Sequence, residues 1–551
     1  MAIYYMETVP FRLTNIETEE SKEFNDLQGL LDEALAKTNT IYFWDLDKLA
    51  EPLINKFYKM GYTEIPTADL DAIDAPIQPK QFVQIGSIGS EGNCTYQIRI
   101  RRNTRAQSLF KNASKLFGDT TIEELITATI GEEDLDFEAP VMCERLSGLI
   151  AKGHTALTLA GNAKKDLMDR CFGREINGKV QFGWKNFNDR FPKLSTEEHD
   201  FVFSSFQGGI CYFNPKYIGS HDVSGTEYDV NSMYPAVMLE ELLPYGKPVA
   251  FEGQYVPVPG KGFPLYFQEV NIGKMTIKPD GIPCIRRRGY KISGSKEQGY
   301  YTIEENVNLV LNHVDLEMLF DNYTIENIEY VGGYRFEGRK KMFDKYINYW
   351  AEQKKNAEDE SFERMYAKLM LNSAFGKFAS KTDKQPSYYK YSKYNQRYIK
   401  IPYVRGKKRK EGSSLYAPVG CYITSYARQR LIAAIKNNKD AFIYSDTDSI
   451  YVKGEAKGLE IDPKKLGAWK EEFKFTKMNI IGKKQYCVQK TDGTVKVVLA
   501  GVPDYITEEI DSYDEFYIGK EFTYIVWGYN EEGYTVIKDE PTTTLKDKEI
   551  K

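Results

Sequence analysis

The chain has 551 residues, enough for two to four domains, and its 42% hydrophobic and 28% charged content is that of an ordinary soluble protein. The net charge of −5 gives no overall basic footprint, so any grip on nucleic acid must come from local clusters. The seven Cys contain no CxxC pair and there are only four His, which excludes a zinc ribbon and a disulfide framework and fits a reducing cytosol. No run of about 18 apolar residues and no basic-then-apolar leader is present, so neither a membrane partner nor a signal peptide is expected.

Residues 1 to about 160 alternate strand-like runs (40–44, 82–88, 95–100) with helical ones (21–36, 121–129), predicting a mixed α/β domain. Residues 161–205 read as a polar helical connector. Basic clusters lie at 99–105, 286–288 and 405–410, and each is more often a solvated loop or strand than a phosphate site, so none carries the case alone. The 40 Tyr and 30 Phe suit either base stacking or packed cores. Stretches rich in Gly and Pro (245–262) and in Lys, Tyr and Gly (381–418) read as insertions between core elements.

The chemistry-bearing motifs follow residue 206. In Glu227-Tyr-Asp-Val-Asn-Ser-Met-Tyr-Pro235, a β-prone approach ends at Asp229 and Pro235 is expected to force a turn. A lone Asp in that position is usually a helix cap. In 441–452, two apolar runs flank Ser-Asp-Thr-Asp-Ser, a hairpin pattern. Asp446 and Asp448 are two apart and would share one face of an extended chain. Close carboxylates repel unless a cation or proton sits between them. With Asp229 they offer ligands for two Mg²⁺ ions, although a turn capped by its own side chains also fits. Residues 361–378 read as a helix on which Arg364, Lys368, Asn372 and Phe375 line one face. That stripe offers phosphate charge, a hydrogen bond and a stacking ring, and Gly376 beside it permits close approach.

These motifs, in this order, resemble motifs A, B and C of the family B DNA polymerases. Their spacing and flanks resemble the protein-primed, strand-displacing branch of Bacillus podophages. Phe-Gln-Gly-Gly (206–209) resembles the branch's Tyr-x-Gly-Gly linker, with Phe for Tyr. Thr424-Ser-Tyr-Ala-Arg428 resembles its Thr-x-x-Ala-Arg segment, and Lys484-Gln-Tyr486 its Lys-x-Tyr motif. The resemblance covers about 206–530.

The resemblance implies an α/β (α+β) right-hand polymerase with palm (about 206–240, 339–350 and 418–500), fingers (351–379) and thumb (500–551). It places a terminal-protein-contacting insertion at about 241–338 and a strand-displacement insertion at about 380–417, which contains the 405–410 basic run. Asp229 and Asp448 would be principal metal ligands with the Val230 carbonyl, and Asp446 a supporting carboxylate. Lys368 would bind the incoming triphosphate beside Arg364. Tyr234 would stack on the deoxyribose and exclude a 2′-hydroxyl, while Asn372 and Phe375 would face the nascent base pair. Phe375 stands where the family usually has Tyr. Ser232, Gly208, Gly209, Thr424, Arg428, Lys484 and Tyr486 would contact DNA. The implied partners are primer–template DNA, dNTPs and a phage terminal protein. The implied cofactor is Mg²⁺, two ions, with Mn²⁺ as a substitute. A monomer in the bacterial host cytoplasm is expected.

The N-terminal 1–160 region departs from the family. An exonuclease-like (ribonuclease H-like) domain with four carboxylates is expected there, yet Asp-x-Glu-Thr stands as Tyr5-Met-Glu-Thr8. The Asn-x-x-x-Asp motif retains Asp45 but has Leu49 in place of its acid. No Tyr lies between Tyr96 and Tyr212, so Tyr-x-x-x-Asp cannot occur where it belongs. The expectation is a retained fold without 3′–5′ proofreading, with Glu7, Asp45 and Asp47 as an unusual remnant site the alternative. Competing functions are a non-catalytic DNA- or terminal-protein-binding factor descended from a polymerase, and a metal-dependent nuclease using the Asp-x-Asp pair. The nuclease would leave the Lys368–Phe375 stripe without purpose. A reverse transcriptase is disfavoured because Thr447 separates the two acids.

Overall fold

The computed structural model describes residues 2–8, 10–65, 77–89, 92–118, 120–131, 138–285, 302–303, 306–379, 385–392, 397–402, 415–500, 502, 504–524, 526–529 and 535–545. The basic runs at 286–288 and 405–410 lie outside them.

The N-terminal half is built on a ten-stranded mixed sheet, as the alternating strand and helix patterns predict. Its middle strands, Ala2–Thr8, Asn39–Phe43 and Gln107–Asn112, run parallel, and Asn39–Phe43 is buried along its whole length. That matches the near-continuous apolar character of parallel strands covered on both faces. The segment 21–36, expected to be one helix, begins instead as the edge strand Ser21–Glu23. Asp26 then caps a helix over Leu27–Ala34 by accepting the Gly29 N–H at 2.8 Å. Asp competes for backbone donors and so resets the chain before the helix starts. The second predicted helix forms at Ile122–Ile130 behind a capping box of Thr121 and Glu124, and ends on left-handed Gly131.

The connector contains helices Leu159–Phe172, Gly183–Arg190 and Thr196–Ser204, as expected, but a small hairpin, Arg174–Ile176 with Lys179–Gln181, interrupts them.

A seven-stranded antiparallel sheet follows. Its order is Cys211–Phe213, Phe442–Asp446, Ser449–Lys453, Gly219–Val230, Trp469–Gly482, Gln485–Lys490 and Val495–Leu499. The motif-bearing strands are therefore neighbours at its centre, with Asp229 opposite Ser449 and Cys211 opposite Asp446. The 21-residue helix Ala417–Asn437 packs near this sheet and is buried at fifteen positions. A separate sheet pairs Leu243–Glu252, Tyr323–Arg339 and Leu265–Ile277 in the region read as the first insertion. Part of the second forms a hairpin, Gln385–Ser392 with Arg397–Pro402. It joins the N-terminal sheet where Gln385 and Pro386 pair with Ile88 and Ser87. The Lys400 ammonium donates to the Thr95 hydroxyl at 3.0 Å and reinforces that junction.

Candidate active site

Asp229 is the penultimate residue of the twelve-residue strand Gly219–Val230, whose second half is almost wholly buried. Such a strand carries its final carboxylate to the rim of the sheet, where a helix begins. Pro235 does not force a turn. It sits in the first turn of Met233–Glu240, where a missing N–H costs nothing. The bend comes three residues earlier, at the cap residue Ser232, whose φ of 56° is left-handed.

The two acids of the Asp-x-Asp pair do not share an extended face. The hairpin turn consists of Thr447 and Asp448, and Thr447 has φ 55°. This left-handed residue breaks the two-residue alternation and sends the carboxylates different ways. Asp448 turns into the cleft with Asp229, and its carbonyl accepts the Val230 N–H at 2.9 Å. Asp446 instead pairs with the Lys484 ammonium at 2.9 Å and accepts the Thr447 hydroxyl at 3.0 Å.

The helix Phe362–Gly376, capped by Ser361, faces these acids across a cavity of about 1470 Å³. Asp229, Val230, Ser232, Tyr234, Arg364, Lys368, Asn372, Phe375 and Asp448 all line it. The predicted stripe thus points into the cleft, with Lys368 and Asn372 exposed to it. Tyr234 stacks directly on Phe375, with centroids 4.2 Å apart and an interplanar angle of 25°. One aromatic step therefore joins the two motifs.

Sequence reasoning missed Lys354. It lies in the last turn of the helix Asp344–Asn356, where a Lys reads simply as a favourable charge at a helix C-terminus. Its ammonium donates to the Asn231 side-chain oxygen at 2.8 Å and to the Ser232 hydroxyl at 3.3 Å. Arg364 donates to the Lys354 carbonyl at 2.9 Å, which brings three cationic residues to one wall.

The acidic side of the site is short of cations, while on the other side Arg364 is already paired with Asp359 at 3.2 Å and Lys354 and Lys368 crowd each other. Burial, then the facing Asp448, then Glu472 and Glu227, push the Asp229 carboxyl up to about 7 despite Lys368. Burial and Asp446 push Asp448 up to about 6. Burial, with Lys368 and Arg364 nearby, holds Lys354 down at about 8. Among the described residues no group of three or more His, Cys, Asp or Glu forms a metal cage by itself. The donor set fits Mg²⁺ nonetheless, because that ion is commonly held by one or two carboxylates and completes its shell with substrate phosphates and water. Asp229, Asp448 and the Val230 backbone would hold it.

Several residues expected to touch DNA are placed elsewhere. Arg428 is 1% exposed and forms a buried ion pair with Asp315. It also donates to the carbonyls of Gln207 (2.5 Å) and Gly208 (3.0 Å). Thr424 is equally buried and donates to the Cys421 carbonyl at 3.0 Å, a helical hydroxyl satisfied by its own preceding turn. Tyr486 is buried with its hydroxyl 3.0 Å from that of Tyr451. Lys484 does not alternate with Tyr486 on a strand, since it is a turn residue with φ 55° and the strand starts at Gln485. Buried groups already paired cannot reach a phosphate, so Arg428, Thr424 and Tyr486 support the site from behind. Gly209 shows how. A Cβ there would lie 2.6 Å from the Thr447 hydroxyl, so only glycine lets the segment anchored by Arg428 rest against the catalytic turn.

The same behind-the-site role falls to Glu227, which alternates with Asp229 on the strand. It accepts both the Tyr451 hydroxyl (2.7 Å) and the Lys496 ammonium (2.9 Å) and is 4% exposed.

Residues 152–464 match the model of the family described as DNA polymerase type B, organellar and viral. The chain belongs to that family. Among curated relatives, the DNA polymerase of Bacillus phage Nf is 32% identical over 368 residues, and that of Bacillus phage phi29 is 31% identical over 365. Each alignment covers 61% of this chain and 60% of the relative, so the match spans about three fifths of those proteins' length. A solved structure of phi29 DNA polymerase complexed with primer–template DNA and incoming nucleotide aligns with a TM-score of 0.82. It does so at 25% identity over 99% of this chain and 100% of that one. The type B fold therefore extends through the N-terminal region, beyond the reach of the sequence match.

The carboxylates of that region tell a different story. Glu7 lies 3.5 Å from the Arg12 guanidinium, Asp45 2.7 Å from Lys48 and Asp47 3.1 Å from Lys115. Asp47 also accepts the Thr95 N–H. Leu49, where the motif wants an acid, is fully buried.

Proposed function

We propose that this type B chain is a template-directed DNA polymerase that adds dNTPs to a primer 3′-hydroxyl. One observation carries the reading: two carboxylates of raised pKa, Asp229 and Asp448, face three cationic residues, Lys354, Arg364 and Lys368, across a single cleft. Two Mg²⁺ ions at the acidic wall, with Mn²⁺ as a substitute, would supply activation of the 3′-hydroxyl and charge stabilisation of the leaving pyrophosphate.

The chain's own residues do the rest. The cationic wall draws in the triphosphate and orients it toward the acids, because Lys354 and Lys368 repel each other there until an anion comes between them. The stacked Tyr234–Phe375 pair presents a flat apolar surface between the wall and the acids, suited to a sugar and base and too crowded for a 2′-hydroxyl. Asn372 supplies a hydrogen bond on the same face. Glu227 and Arg428 keep the strand and the turn that carry the acids in place. The test is extension of a 5′-labelled primer with Mg²⁺ and dNTPs. Wild type extends and Asp448→Ala does not; equal extension by both overturns the reading.

The finer reading is a protein-primed, strand-displacing phage replicase, a monomer in the bacterial cytoplasm that works with a terminal protein. It rests on the resemblance in the 241–338 and 380–417 insertions. Extension that starts on a terminal protein's hydroxyl with dATP and no oligonucleotide supports it, and failure with the cognate protein removes it. Loss of proofreading is part of the same reading. It is supported by Glu7, Asp45 and Asp47, each held by a cation of the chain's own. Mg²⁺-dependent removal of a 3′ mismatch that survives Asp229→Ala and Asp448→Ala contradicts it.

A further inference from the structure

Among the described residues most aromatic side chains are buried or packed against a core, but an apolar cluster in the connector is turned out to solvent. In the connector, Ile176, Val180, Phe182 and Trp184 are 39%, 54%, 51% and 53% exposed. Trp184 is nevertheless held in place. Its ring packs edge-on against Phe187 at 6.0 Å, and the Lys164 ammonium sits 4.5 Å from its centroid. Phe182 has φ 66°, a left-handed conformation costly for a bulky residue, and it displays its ring to water all the same.

The surroundings are basic. Residues 160–195 carry eight Lys and Arg against four Asp and Glu, a local charge of +4 within a chain of −5. The acidic residues are partly engaged, since Asp166 binds Arg170 and Asp169 lies by Lys165. Among the described residues Arg174, Lys179 and Lys185 form no ion pair, and all three are exposed. The hairpin register pairs Lys179 with Ile176 and Gln181 with Arg174, so these four side chains share one face of the ribbon. Beside it, Arg174, Asn186, Asp189 and Arg190 line a hollow of about 440 Å³.

Rigid exposed rings among unpaired cations match a ligand with flat faces and a negatively charged backbone. We propose that the 174–184 hairpin and the Phe182–Trp184 step form a second DNA site, which binds single-stranded DNA by stacking its bases on these rings. An apolar protein partner would leave the three free cations unused. The site's position suits a strand entering or leaving the cleft. The helix Leu159–Phe172 has Ala160 on the wall of the active-site cavity and leads to the hairpin at its other end, and fourteen residues span about 20 Å.

Only the source of the strand rests on the polymerase reading. The test uses the full chain on a primer–template carrying 5-iododeoxyuridine either in the template overhang or in a downstream strand being displaced. After irradiation, cross-linked residues are mapped by mass spectrometry. Cross-links to Phe182 or Trp184 in the first arm assign the site to the template, and in the second arm to the displaced strand. The Phe182→Ala/Trp184→Ala double variant is expected to lose that cross-link and to bind a long-tailed substrate at least about tenfold more weakly. Extension over the last two template positions is expected to stay unchanged, and Trp184→Tyr to retain binding. Cross-links confined to the cleft in both arms, with equal binding by the double variant, overturn the proposal. Wild type that fails to extend but still cross-links at 182–184 would sink the polymerase reading and leave this site standing.

Discussion

The molecule contains two groups of carboxylates that invite the same interpretation and have opposite surroundings. In the C-terminal cleft, Asp229 and Asp448 are pressed together, and the cations that face them stand across a cavity. In the N-terminal sheet, Glu7, Asp45 and Asp47 are each met by a Lys or Arg at 2.7–3.5 Å. Burial raises Glu7 to about 7, much as it raises Asp229, so a shifted carboxyl alone does not mark a metal site. What separates the two is where the compensating charge comes from. One group has room for a cation from solution, and the other has been given cations by the chain itself.

The sharpest way to break this comparison is Asp448→Ala. On the proposed reading it removes a metal ligand, a loss worth several kcal/mol of transition-state stabilisation, and primer extension is expected to fall roughly a thousandfold. The matching Asp47→Asn is expected to leave extension on a short template unchanged. Next in size is Asp315→Ala. It strands the Arg428 guanidinium in the core and is expected to destabilise the fold by about 3–5 kcal/mol in denaturant titration. Lys354→Met is expected to raise the KM for dNTP by about tenfold. It should also flatten a pH profile: Lys354 is charged below about 8, so wild-type kcat/KM for dNTP should fall as pH rises through that value. The smallest effects separate the two groups by stability. Mg²⁺ should raise the melting temperature of wild type and of Glu7→Gln, but not of the Asp229→Ala/Asp448→Ala double variant. Glu7 has a folded pKa raised above its unfolded value, so its contribution is favourable at low pH and is lost as pH rises through about 7. Glu7→Gln should therefore stabilise more at pH 8 than at pH 5 in thermal melts.

The type B fold and the cleft were legible in the sequence because short-range chemistry encodes them. A hairpin pattern, a strand ending in Asp and a helical stripe each depend on residues within one element. What was not legible depends on long-range packing. Arg428 looks like a phosphate ligand until Asp315, 113 positions away, is seen to bury it. Asp446 and Asp448 alternate in the sequence, but a left-handed Thr447, packed against Gly209, turns one of them away. Lys354 carries no motif at all, and only the approach of three elements makes it part of the wall. The helix expected from residue 21 failed for the opposite, local reason: Asp26 captured the helix start.

The pairing of residues 385–386 with residues 87–88 has a consequence for how this chain is made. On the ribosome, the strand Gln81–Gly89 emerges some 300 positions before the neighbour that covers its Ser87–Ile88 end, and through that interval this end of the sheet has an open edge, since Thr63–Glu64 covers only Gln81–Phe82. Such an edge is a template for pairing with another chain. A fragment ending near residue 160 would keep that edge permanently, and during synthesis the nascent protein depends on late-arriving sequence to close it. Soluble expression of the N-terminal region is therefore expected to require the hairpin that lies more than two hundred residues downstream.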